Sequence, residues 1–204
     1  MTAAVEPAAD RAEVRTIVSG GVKLGILTTI GVAVFALLSR SLSGATEVVV
    51  QAALILAGGV VWSYLPAVWV RPRTVDGIAW ASLVGLLGAL TFTVLDTAIL
   101  RPLNLYHWTW DAIGGGSGFW YIPVWWMGSA FVAWLGAYVV ALAARGQRSA
   151  PPLATGMLTA GLGMLLFAVS AATKLLPFHA AVAALGFAVA LVLHVPLAAA
   201  MNRR

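Results

Sequence analysis

The 204-residue chain has no cysteine, and only 9% of its residues are charged. Without cysteine there is no disulfide framework and no cysteine-ligated metal. A soluble globular domain carries roughly 25% charged residues, so this chain has too few to cover a surface that faces water. Acids are scarcer still: Asp and Glu total 7, against 12 Lys and Arg. The net charge of +5 comes from no basic run outside the loop ends, which argues against a nucleic-acid partner. A phosphate-binding glycine loop, GxSxG, HExxH and every cysteine motif are also missing.

What the chain does have is apolar residues, 61% of the total. They fall into six long segments: Ile17–Leu38, Val48–Val70, Ile78–Leu100, Tyr121–Ala144, Leu153–Leu176 and Phe178–Met201. Each has enough residues to cross a hydrocarbon core of about 30 Å as a helix. The period-2 alternation of a barrel strand is absent, and helices are the other form that satisfies its own backbone in lipid. The expected fold is all-α, a polytopic bundle of six transmembrane helices. A short tail at 1–16 precedes a single membrane domain at 17–204.

The cations alternate between connections. Arg11, Arg15 and Lys23 open the chain, Arg71 and Arg73 follow the second helix, Arg145 and Arg148 the fourth, and Arg203 and Arg204 end it. The opposite connections carry single cations: Arg40, Arg101 and Lys174. The positive-inside rule then places both termini in the cytoplasm, with the protein in a bacterial inner membrane and the connection at 101–120 outside.

That connection runs into "LYHWTWDAIGGGSGFWYIPVWW", residues 105–126. It contains five tryptophans and four glycines in a chain otherwise dominated by Ala, Leu, Val and Gly. Interfacial anchoring accounts for some of these rings, since Trp and Tyr sit at headgroup level. It does not account for the imbalance: Trp62, Trp69 and Trp80 lie towards one interface, and the six from Trp108 to Trp134 towards the other. Nor does it call for the glycines, which let a loop fold back closely over the helices. Tyr106, His107, Trp108, Trp110, Tyr121, Trp125, Trp126 and Trp134 are the candidate ligand-facing residues. Trp126, Trp134 and Tyr138 recur at multiples of four and are expected to continue the aromatic wall down one helix.

Asp96 lies near the end of the third helix, just before this loop. A carboxyl group there must be paired, solvated or protonated, and an intramembrane acid marks a functional site by default. Arg101 is a possible partner, although i,i+5 is not α-helical neighbour spacing. Asp111, inside the loop, is the second candidate acid. His179 and His194 are about 22 Å apart along one helix and cannot share a metal. His194, next to Pro196, reads as a hydrogen-bonded or solvated group. No ligand spacing suggests a metal, and no cofactor is called for.

An acid in an apolar site can protonate a carbon–carbon double bond, and aromatic faces stabilise the resulting cation. Water then adds, or is excluded and the chain cyclises. The stretch from Leu95 to Met127 resembles the central signature of the CruF-like carotenoid 1,2-hydratases, the bisanhydrobacterioruberin-hydratase family. The similar positions are Asp96, Trp108, Trp110, Gly118, Tyr121, Ile122, Pro123 and Trp126. Thr97 stands where the family typically has proline, and Val124-Trp125-Trp126 replaces a polar position. The resemblance implies a carotenoid hydratase (lyase) with Asp96 as the acid; with the chemistry above, the expectation is a membrane enzyme, a hydratase or cyclase acting on a long isoprenoid or carotenoid, with Asp111 as the second candidate acid. The alternative is a non-catalytic subunit that binds a pigment, quinone or lipid. In an enzyme Asp96 faces the aromatic cavity; in a binder it pairs with Arg101 or faces headgroups. A transporter is disfavoured by the lack of a second intramembrane carboxylate and of an inverted repeat. The expected partners are the lipophilic ligand and membrane lipids, and nothing in the chain specifies an oligomeric state.

Overall fold

The computed structural model describes residues 10–105, 118–144 and 151–201, with the side chains of 118–122 and Met201 excepted. Among the described residues there are six long helices and no strand. They are α1 (Val14–Ser41), α2 (Gly44–Val70), α3 (Val75–Leu95), α4 (Gly118–Ala143), α5 (Pro152–Thr173) and α6 (Ala180–Met201). A π-helical turn, Asp96–Leu100, extends α3. All six spans are long and apolar enough to cross a membrane, so the protein is an integral, multi-pass membrane protein. Six spans put the start of α1 and the end of α6 at the same end of the bundle, the termini end.

The helix ends have local causes. Thr74 caps α3 by accepting the Gly77 N–H at 3.1 Å. Pro151 and Pro152 start α5, where a missing N–H costs nothing. Lys174 ends α5 in a left-handed conformation, φ 54°, with the Leu175 N–H returned to the Ser170 carbonyl at 3.1 Å. The fifth apolar run therefore stops being helical at Thr173 rather than Leu176. His179 precedes α6 and caps it, its Nδ1 accepting the Ala181 N–H at 3.1 Å.

α1 begins at Val14, three residues earlier than hydropathy alone suggests, and the segment before it is anchored. The Asp10 carboxylate accepts hydrogen bonds from the Arg73 N–H and the Thr74 hydroxyl. It sits against Gly77, where an added Cβ would lie 2.6 Å from its Cγ. A carboxylate there meets the free N–H groups and the positive dipole end of α3.

α2 is the hub. It packs against each of the other five helices, which form an arc in the order α1, α3, α4, α6, α5 around it. The core divides accordingly. One apolar cluster joins α1–α4 through Leu24, Val70, Val84 and Ala137. The other joins α2 and α4–α6 through Tyr64, Val139, Phe167 and Leu191. Large apolar side chains such as Leu37, Met127, Met157 and Val192 are exposed on the outside, as a lipid-facing surface requires.

Lipid tails are as apolar as leucine, so helices here associate through close packing. Gly136 of α4 shows how close: a Cβ there would stand 1.8 Å from the Ser63 carbonyl oxygen of α2. Gly21 of α1 is similar, with Leu87 Cβ of α3 only 2.4 Å from the position its own Cβ would occupy. These contacts set the spacing of α1, α3 and α4 around the hub.

Candidate functional site

Asp96 is the most distinctive polar residue at the bundle end away from the termini. It is 3% exposed, on a chain segment that leaves the α-helix at that residue. The Arg101 N–H reaches the Asp96 carbonyl at 2.9 Å, closing an i→i+5 turn. An α-turn would place residue i+4 beneath Asp96; the wider π-turn places residue i+5 there instead. The Arg101 guanidinium consequently meets the carboxylate, Nε to Oδ2 at 3.0 Å. The spacing that looked unsuited to a helical pair is the neighbour spacing of this turn. Π-turns of this kind occur often at functional sites.

The two members of the pair have unequal surroundings. The Asp96 side chain is 5% exposed and that of Arg101 49%. The acid belongs to the bundle interior, and the guanidinium bridges it to the surface. A second arginine, Arg40 at the end of α1, donates to the Asn104 carbonyl. The Asn104 N–H in turn reaches the Arg101 carbonyl at 3.0 Å. The turn that carries the ion pair is thereby tied to α1.

The tryptophans of α4 approach the same stretch of α3. Trp126 donates from Nε1 to the Thr93 hydroxyl at 3.1 Å, and the Thr93 hydroxyl donates to the Ala89 carbonyl at 2.8 Å. The Trp125 ring lies 6.2 Å from that of Phe92 and 6.3 Å, edge-on, from that of Trp62 in α2. Phe92 and Thr93 stand four and three residues before Asp96, on the helix face it shares. The fold thus brings Asp96, Trp125 and Trp126 to one region through two α3 residues that sequence reading did not single out.

Trp134 belongs elsewhere. It stacks on Tyr138 at 5.4 Å and on Phe131 at 6.1 Å, and it is 39% exposed on the flank of the bundle. At 3.6 residues per turn, each step of four drifts about 40° around the helix. Two steps from Trp126 turn the stripe away from the Asp96 region, so the wall does not run continuously into the bundle. Tyr106, His107, Trp108, Trp110 and Asp111 lie outside the described residues, and so does the Tyr121 side chain.

A second polar cluster, near the opposite end, had no sequence signature. Tyr64 of α2 and Thr159 of α5 are fully buried, with Oη and Oγ1 2.7 Å apart. Thr159 Oγ1 is also 2.7 Å from His194 Nδ1 of α6 and 3.1 Å from the Thr155 carbonyl. Tyrosine, threonine and histidine from three helices converge on one hydroxyl. His194 is hydrogen-bonded, as its position beside Pro196 suggested, but its partners are invisible in the linear order.

No family model matches the chain, and neither a curated protein nor a solved structure does.

Proposed function

We propose that this membrane protein holds a long isoprenoid or carotenoid lipid against the tryptophan-bearing ends of α3 and α4, as a binding protein or as the pigment-, quinone- or lipid-binding subunit of a complex. The carrying observation is the Asp96–Arg101 ion pair. A general acid must present a proton to its substrate, whereas Asp96 Oδ2 is engaged as an acceptor by the guanidinium. The aromatic faces of Trp125 and Trp126 supply flat, apolar contact suited to a polyene, with Thr93 fixing one ring. The alternation of arginines supports placement in the cytoplasmic membrane with both termini inside.

A second reading, a hydratase or cyclase that protonates the polyene, rests on one feature of the same pair. Arg101 is half-exposed and Asp96 is buried. If a bound substrate displaces the half-exposed partner, an acid is left in an apolar, aromatic surround, the arrangement that protonation of a double bond needs.

The deciding experiment is the mass and absorbance spectrum of lipophilic material extracted from purified protein. A polyene or isoprenoid recovered unchanged after incubation supports the binder. A product heavier by one water, or cyclised, supports the enzyme, and Asp96→Asn must then lower turnover by about 10²-fold while the lipid remains bound. Protein that carries no isoprenoid and takes up none when it is offered overturns both readings.

A further inference from the structure

The cluster around Thr159 is independent of the Asp96 region. Asp96 follows 21 residues of α3 that start from the termini end, about 30 Å of helix. Tyr64, Thr159 and His194 lie six or seven residues from the termini-end limits of their helices, Val70, Pro152 and Met201. That places all three about 10 Å inside that end of the bundle. They form one layer within the adjoining leaflet.

The protons of this layer can be assigned by counting. A threonine hydroxyl has one proton and two lone pairs. Three groups surround Thr159 Oγ1 within hydrogen-bond distance, and one of them, the Thr155 carbonyl, can only accept. All three contacts are hydrogen bonds in a single arrangement. Thr159 donates to Thr155, Tyr64 donates to Thr159, and His194 donates to Thr159 from a protonated Nδ1. If His194 Nδ1 were instead the acceptor, Thr159 and Thr155 would face each other oxygen to oxygen with no proton between them. The fully buried Tyr64 hydroxyl has no other partner among the described residues, so its proton is committed to Thr159.

A neutral imidazole protonated on Nδ1 has a bare lone pair on Nε2. That nitrogen makes no hydrogen bond to the described residues, and it is not among the buried side-chain atoms without a partner. His194 as a whole is only partly buried. On the same helix, Leu193 and Leu197, one residue before and three after His194, are both more than half exposed. An uncovered acceptor at this depth is costly in hydrocarbon. A carbonyl or ether oxygen cannot relieve it, because it brings no proton. A hydroxyl can.

We propose that His194 Nε2 is a binding site for the hydroxyl group of a membrane-soluble alcohol, such as an isoprenoid alcohol or a quinol, entering laterally from the leaflet beside the termini end. Thr159 and Tyr64 are positioning residues: they fix the tautomer that makes Nε2 an acceptor. The site stands whether or not a polyene binds near Asp96.

The test is nitrogen-15 NMR of full-length protein labelled at histidine, in phosphatidylcholine nanodiscs, titrated with geranylgeraniol or with its methyl ether. His194 is assigned by loss of its signals in His194→Gln. Should that variant not fold, it is assigned as the signal retained in both His107→Gln and His179→Gln. The expected result is an Nδ1-protonated His194 whose Nε2 resonance moves to hydrogen-bonded values and saturates with the alcohol. Half-saturation by the ether should need about tenfold more, or not be reached, as the loss of one hydrogen bond implies. Thr159→Val should abolish the tautomer preference and weaken the alcohol response. An Nε2-protonated wild type, an equal response to the ether, or an Nε2 already hydrogen-bonded to water and unmoved by the alcohol would each overturn the proposal.

Discussion

The two polar layers of this bundle solve the same problem in opposite ways. Near one end, Asp96 is satisfied by a residue five positions along its own chain, and the backbone changes helix type to bring that partner into place. Near the other, Thr159 is satisfied by partners from two other helices, and its own helix stays regular. The first layer is charged and local, so it depends on one turn. The second is made by the assembly, so it depends on how α2, α5 and α6 sit together. The Asp96 carboxylate and the Thr159 hydroxyl are both buried, so each depends on its protein partners rather than on water.

The largest expected effect lies at the crossing of α2 and α4, where Ser63 stands beside Tyr64. Gly136→Leu should be the most damaging single change, costing about 3 kcal/mol or more, because even a Cβ would overlap the Ser63 carbonyl. Thermal unfolding in detergent would measure it, and a variant as stable as the parent would mean that α2 and α4 do not cross at that distance.

Next comes the asymmetry of the ion pair. Arg101→Gln leaves a buried carboxylate without its counter-charge and should destabilise by about 2–3 kcal/mol, below the cost for a fully buried pair because Arg101 is half in solvent. Asp96→Asn leaves an arginine that solvent can reach, and should cost about 1 kcal/mol or less. Denaturant titration of the two variants compares them directly; equal losses would show that the pair behaves as an ordinary surface bridge.

Thr159→Val should cost about 1–2 kcal/mol, since it strands the Tyr64 hydroxyl as well as removing its own bonds. Tyr64→Phe, which removes a donor and leaves Thr159 its other partners, should cost less. The reverse order of stability would mean that Thr159 is not the hub of this layer.

The smallest effect belongs to Trp126→Phe. It keeps an aromatic face and loses one hydrogen bond to Thr93, about 0.5–1 kcal/mol. Changed lipid retention with little loss of stability would place Trp126 on the ligand; unchanged retention would limit it to joining α3 and α4.

The local layer was the more legible one. An isolated carboxylate between Leu95 and Thr97 in an apolar run is visible to anyone reading the chain, and Arg101 is close enough in sequence to be considered. What the sequence concealed was the π-turn, because a change of helix type leaves hydropathy untouched. Thr93 and Phe92 were concealed too, since a threonine or phenylalanine in a membrane helix is unremarkable until a tryptophan from another helix meets it. Trp134 shows the opposite error: multiples of four suggest a shared face, and helical drift separates it from Trp126 over two steps.

By itself the sequence determined that the chain is a six-span helical membrane protein, where each span lies to within about a turn, and that an acid and a cluster of tryptophans fall towards one end. Those properties follow from the low charge, from the length of each apolar run and from backbone hydrogen bonds that close within one segment, all of which are local. Only the tertiary structure decided that α2 is the hub, that Gly136 admits the Ser63 carbonyl and that Tyr64, Thr159 and His194 share one proton network. Those depend on which helix faces which. In a bilayer that choice is made by packing shape and a few interhelical hydrogen bonds, and uniform apolar segments carry little trace of either.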